Sequence, residues 1–202
     1  RLGVYEDDRS SDFESAVVLS ENTQSARCRF NGPLAVHLHL FHSEMAESLR
    51  THLNAIPRKF DLFISISDSS LALSIKETFQ TLEQVQKLFV EVDPNMGRDI
   101  APMLVTFASR LSSYELLLHI HSKTSEHTTA KHGWASQMTR HLLGSRGLTA
   151  QLLNLFADNS RLGLAFPVYH SSVVDEIEWG TNFTCAQQIM RRMSEPLSEG
   201  QL

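Results

Sequence analysis

From Leu34 onward the chain alternates between strand-like apolar runs and helix-like amphipathic runs, and that alternation leaves few architectures open. "LAVHLHLF" (Leu34–Phe41) reads as a first strand, "FDLFISI" (Phe60–Ile66) as a second and "QKLFVEV" (Gln86–Val92) as a third. "ELLLHIH" (Glu115–His121) and "LGLAFP" (Leu162–Pro167) read as a fourth and a fifth. Between them lie "SEMAESLRTHLNAI" (Ser43–Ile56), "SSLALSIKETF" (Ser69–Phe79) and "IAPMLVTFASRL" (Ile100–Leu111), each with helical spacing of apolar residues. Ser43 is placed to cap the first helix, whose first turn carries Glu44 and Glu47 to suit the positive end of the helix dipole. Strands alternating with helices of this length predict βαβ units, hence an α/β fold with a mostly parallel sheet and helices on both faces. A helix with Trp134, Met138 and Leu142 on one face ends at Gly144, "GLTAQLLNLFADN" follows, and Thr181–Met193 closes the pattern. Residues 1–33 are polar and irregular and read as an arm or linker, with one short element around Ala16 to Leu19; residues 34–202 read as the domain.

Composition excludes some classes of function. A formal charge of −5 is the wrong sign for displacing counterions from a nucleic acid, so no nucleic-acid partner is expected. No apolar run approaches the ~20 residues of a membrane-spanning helix. The N-terminus carries no signal-peptide pattern. Two cysteines, Cys28 and Cys185, make neither a disulfide framework nor a Cys-x-x-Cys pair, which suits a reducing cytoplasm. Nine of the ten histidines fall in two zones, His37–His52 and His119–His141, and each zone includes a strand end.

In an open parallel sheet, ligands collect outside the carboxyl ends of the strands. That rule selects His39–His42, Ser67-Asp68-Ser69, Asn95–Asp99 and His119–Lys123. In "NMGRD", Gly97 can take a positive φ and admit a ligand close to the backbone, and Arg98 adds a positive charge. Asp99 suits an N-cap, with Pro102 in the first turn. The plainer reading, slightly favoured by spacing alone, is a turn at Gly97, a cap at Asp99 and a solvated Arg98. His119 and His121 share one face of the fourth strand, and Ser122, Lys123, Thr124 and Ser125 follow at its carboxyl end, a set suited to an anion. His-x-His is also a metal-ligand spacing, but the sequence offers no acidic third ligand nearby except Glu126, so no metal is expected. His37 and His39 share a face of the first strand; one is expected to be buried and hydrogen-bonded, with His39 at the pocket edge. Asp68 could accept from a base or ribose, though capping the next helix is its simpler role. Trp134 reads as core, and Trp179 as either a sugar-stacking or a core-covering residue. The Rossmann glycine fingerprint, the P-loop and Gly-x-Ser-x-Gly are all absent.

Taken in order, "AVHLHLFH", "PRKFDLFISI", "NMGRDIAPML", "ELLLHIHSKTSEH…HGW", "LLGS", "LGLAFP" and "EWGTN" resemble the rhamnan synthesis protein F family across roughly Leu34 to Met193. The most specific segments are Gly97-Arg98-Asp99-Ile100 with Pro102, and His119-x-His121-Ser122-Lys123 followed by Gly133-Trp134. The resemblance implies bacterial envelope polysaccharide assembly by a glycosyltransferase of GT-A-like architecture, with an activated deoxysugar as donor and a lipid-linked glycan as acceptor. It implies no separate cofactor, and a cytoplasmic site of action at the inner face of the membrane, in peripheral association with it or with other assembly proteins. Such enzymes usually hold a divalent metal on an Asp-x-Asp at the end of the fourth strand; here that place reads His119-Ile120-His121-Ser122-Lys123. Lys123, His121 and Arg98 are then the expected catalytic groups, and Gly97, Asp99, Asp68, His39, His119 and Ser122 the expected donor-binding ones. Members usually continue into a further segment completing the acceptor side, so the C-terminal part is expected to be incomplete and the catalytic base to lie beyond it. Two rival readings stand beside the transferase: a non-catalytic sugar-nucleotide or glycan-binding module of a larger assembly protein, and a metal hydrolase built on the histidines.

Overall fold

The computed structural model describes residues 2–6, 19, 27–123, 134–167 and 179–194. The chain divides into two units, Arg1–Val168 and Tyr169–Leu202. In chain order the first contains β1 (Leu2–Glu6), β2 (Leu34–His39), α1 (Ala46–Leu53), β3 (Phe60–Ile66), α2 (Ala72–Gln80), β4 (Val85–Val92), a π-helical turn (Pro102–Thr106), α3 (Ala108–Leu111), β5 (Leu116–His121), α4 (Trp134–Leu143), α5 (Arg146–Asp158) and β6 (Leu162–Pro167). The second unit holds a 3-10 turn at Gly180–Asn182 and α6 (Phe183–Arg192), with Trp179 edge-on to Phe183 at 5.9 Å between ring centroids.

The main sheet has four parallel strands in the order β4-β3-β2-β5. Three strands step outward from β2 to β4, and the fourth returns to the other flank of β2. Every residue of β2 and β3 is buried, as expected where helices cover both faces. On one face Val36, Leu38, Leu62 and Ile64 pack with Leu49 and Leu53 of α1, Ile75 and Phe79 of α2, and Leu153 of α5. On the other, Ala35 and Phe63 meet Phe107 and Leu111. The α/β class and the parallel sheet follow the sequence pattern.

Some elements differ from expectation. The fifth strand, β6, does not extend the main sheet; it pairs antiparallel with β1, inside the segment read as an arm. Order also begins before Leu34. Phe30 joins the core, and the Arg29 N–H donates to Asn154 Oδ1 at 2.7 Å. The element expected around Ala16 to Leu19 lies outside the described residues apart from Leu19. Ser43 opens a 3-10 turn that leads into α1 instead of capping it. The helix expected over Ile100–Leu111 is interrupted, because Phe107 N–H bonds Pro102 O at 2.9 Å, one residue further back than in an α-helix. That extra residue accompanies an inward Phe107, fully buried between Phe63 and His37 at 5.3 and 5.6 Å between ring centroids. Among the described residues no helix is long and apolar enough to cross a membrane.

Candidate functional site

Parallel register places two pairs of histidines side by side. His37 lies opposite His119, and His39 opposite His121, across the β2–β5 boundary. Alternation of side chains puts all four on the face that carries Phe63 and Phe107. On the other flank of β2, His39 is level with Ser65 of β3. The sequence places each His-x-His pair on one face, but only the sheet order brings the two pairs together.

These side chains form a continuous hydrogen-bonded row. Asp99 Oδ2 is 3.0 Å from His119 Nε2, and His119 Nδ1 is 2.9 Å from His37 Nδ1. His37 Nε2 is 3.3 Å from Ser65 Oγ, which is 2.8 Å from His39 Nδ1. A carboxylate only accepts, so with neutral rings the row has one direction. His119 donates to Asp99, His37 to His119, Ser65 to His37 and His39 to Ser65. His37 and Ser65 are fully buried, so the row also satisfies polar groups that would otherwise be costly in the core. Ser65 carries no strand-end signal in the sequence, because it sits inside β3, one residue before its end.

The Asp99 carboxylate arrives on an unusual loop. Gly97 has φ +78° and Arg98 φ +52°, two successive left-handed residues. The glycine was expected to take a positive φ, and a Cβ there would meet Ala101 Cβ at 2.5 Å. After this turn Asp99 directs Oδ2 toward β5, within 3.4 Å of His121 Nδ1 as well, instead of capping the helix. This corrects the sequence reading in which the histidine pair has no carboxylate beside it. The third group comes from 20 residues upstream. Asp93 directly follows β4; Thr106 Oγ1 donates to its Oδ1 at 2.8 Å, while Oδ2 is buried with no hydrogen-bond partner.

The other expected residues divide. Ser122 is buried, and its Oγ accepts from the His42 N–H at 2.8 Å, so its hydroxyl ties the exit of β2 to that of β5. Asp68 caps the turn after β3, accepting from Ser70 N–H and Oγ at 2.8 and 2.7 Å, and it does not join the histidine row. Arg98 is exposed. Lys123 Nζ lies 4.4 Å from the centre of the Trp134 ring, a cation–π contact that fixes the ammonium just beyond β5. Trp134 is thus a partly exposed platform, not a core residue. Thr124, Ser125, Glu126 and Gly133 lie outside the described residues.

Burial sets the protonation of the row. Desolvation first, then the charges of His119 and His39, push His37 down to about 3 against an opposing pull from Asp99. Burial also lowers His39 and His121. His121 is therefore a neutral imidazole near pH 7 and adds no positive charge. Burial acts to raise Asp99, but the His119 hydrogen bond, its own backbone N–H and the two histidine charges outweigh it, and its net shift is downward. A histidine with a lowered folded pKa binds fewer protons folded than unfolded. Stability must therefore rise with pH from about 3 to about 6.5, and be fully present above that window. His37 alone should contribute roughly 1 kcal/mol per pH unit there. Urea unfolding across the upper part of the window, where ordinary carboxylates are already ionised, should show midpoints climbing with pH; a flat profile would contradict the buried neutral row.

A family model described as rhamnan synthesis protein F matches residues 8–198, nearly the whole chain. Proteins named "Uncharacterized protein WxcX" from two strains of Xanthomonas campestris pv. campestris are each 37% identical over 93 residues. Those matches cover 45% of this chain and 13% of each relative, so the chain spans a small part of the curated relatives it matches. No solved structure matches.

Proposed function

This chain belongs to the rhamnan synthesis protein F family, and from that premise we propose that it is the donor-binding part of a glycosyltransferase with GT-A-like architecture. It moves a nucleotide-activated deoxysugar, rhamnose by family name, onto a lipid-linked glycan in envelope polysaccharide synthesis. The observation that carries the reading is the strand order. The strand order reverses between β2 and β5, and a crevice at such a switch in order is where open α/β sheets bind their ligands. His39, His121 and Lys123 sit at those two strand ends, with the Gly97–Asp99 loop reaching Asp99 across to them.

In this reading Gly97 leaves the backbone open to the donor diphosphate, and Arg98 and Lys123 supply the cations. Neutral His39 and His121 offer ring nitrogens to sugar or ribose hydroxyls. In transfer, the acceptor hydroxyl oxygen attacks the anomeric carbon as the bond to the diphosphate oxygen breaks; the electron pair leaves with the diphosphate, and the hydroxyl proton passes to a base on the acceptor side. The chain's contribution is positioning and stabilisation of that leaving charge. The site works on the cytoplasmic side, at the inner face of the membrane, where a lipid-linked acceptor is within reach.

Full-length protein incubated with a nucleoside-diphosphate rhamnose and a lipid-linked acceptor tests this. Acceptor-dependent release of nucleoside diphosphate, with sugar appearing on the lipid, is expected. Saturable donor binding with no release would favour the sugar-nucleotide-binding module instead.

A further inference from the structure

Asp99, His119 and His121 have a geometry that neither strand-end position nor family membership explains. Each of the three offers a ligand atom within 4.8 Å of the others, and Asp99 Oδ2 is 3.0 Å from His119 Nε2 and 3.4 Å from His121 Nδ1. Donor atoms held ~2.0–2.1 Å from a zinc ion in a tetrahedral shell stand roughly 3.3 Å apart. The carboxylate thus already lies at ligand spacing from both imidazoles, and a small adjustment would close the set. All three side chains are partly exposed, at 22%, 23% and 34%, so an ion can reach them and a fourth position stays open.

We infer that Asp99, His119 and His121 form a two-histidine, one-carboxylate site for a divalent transition cation of the zinc class. The donor chemistry selects this class. Two imidazoles and one carboxylate suit zinc and its neighbours, whereas magnesium and calcium favour all-oxygen shells. Three protein ligands with one open position is the arrangement of a site where the ion also meets a ligand or water. A bound cation here would act as a Lewis acid toward whatever oxygen fills that position.

The surrounding hydrogen bonds supply what a metal-bound histidine needs. Such a ring donates its remaining N–H to a partner that fixes its orientation. His119 has that partner in His37, Nδ1 to Nδ1 at 2.9 Å. With a metal on Nε2, His119 must carry its proton on Nδ1 and donate to His37. His37 then donates through Nε2 to Ser65, and Ser65 to His39 Nδ1. The row reverses direction with no proton gained or lost, ending with the proton of His39 on Nε2. His37 is a positioning residue here, and the reversal is a signature that a chance ion on a surface carboxylate would not produce.

The inference does not rest on the transferase reading, and its test uses metal alone. Metal-stripped protein titrated with zinc chloride by calorimetry should take up one ion per chain. Asp99→Ala and His121→Ala should each weaken that uptake at least 100-fold, and His52→Gln, on α1 away from the site, should leave it unchanged. Nitrogen-detected NMR of the imidazoles should show His37 and His39 moving their protons from Nδ1 to Nε2 as zinc is added. Circular dichroism of the variants separates lost ligation from lost fold, and Asp99→Asn gives a milder second probe if the alanine variant is unstable. No saturable uptake at one per chain, equal uptake by the ligand variants, or unchanged tautomers at His37 and His39 would each overturn the site.

Discussion

Replacing Phe63 by alanine should destabilise the first unit by about 3–5 kcal/mol, the usual range for deleting a buried aromatic ring. Phe63 is 1% exposed and stands at the centre of the aromatic layer on the α3 face. It stacks on Phe89 at 4.7 Å and meets Phe107 and Tyr114 edge-on at 5.3 and 5.7 Å. Three rings would lose a neighbour at once. The close packing of the remaining elements would limit how far the gap could collapse. The damage should also reach the site, because Phe107 is the ring that leans on His37. Phe63→Leu keeps most of the volume and should cost considerably less. Urea denaturation at neutral pH checks both. A loss below about 1 kcal/mol for the alanine variant would mean that the α3 face is not packed as described.

Lys123→Ala should lower glycosyl transfer by roughly 10²–10³-fold, the scale of removing one preorganised charge partner from a transition state. Negative charge grows on the departing diphosphate as the glycosidic bond breaks. His121 cannot meet it while neutral, and Arg98 is exposed on a loop. Lys123 is the fixed cation at the end of β5, held on the Trp134 ring. Turnover should therefore fall further than donor affinity, because the interaction is strongest in the transition state. Trp134→Leu should lower turnover in the same direction but by less, since the charge stays while its orientation loosens. Steady-state kinetics on full-length protein decide this, and wild-type turnover in Lys123→Ala would remove the lysine from the mechanism.

The main sheet could be read from sequence because parallel strands buried on both faces are nearly continuous apolar runs, as in "FDLFISI". Positions at strand ends were equally accessible, which is why His39, Asp68, Gly97, Arg98, His121 and Lys123 could be named. Contacts made across strands could not. That His37 faces His119 depends on β5 lying beside β2, a matter of strand order that no local pattern carries. The role of Asp99 was hidden for the same reason. Its spacing suggests a cap, and its actual partners come from a strand that begins 17 residues later. The π-turn was hidden because apolar periodicity does not register one extra residue, and Pro102 was the only cue. The pairing of β1 with β6 joins segments about 160 residues apart, so neither carried a local sign of it.

A nucleotide-sugar should bind where the strand order reverses, between the carboxyl ends of β2 and β5. An NMR titration with a nucleoside-diphosphate sugar, following backbone amides and imidazole nitrogens together, tests it most directly. Saturable shifts are expected at Gly97, Arg98, His39, His121 and Lys123, with the amides of α5, on the other face, unmoved. Saturable shifts confined to other surfaces, with these five residues silent, would contradict it.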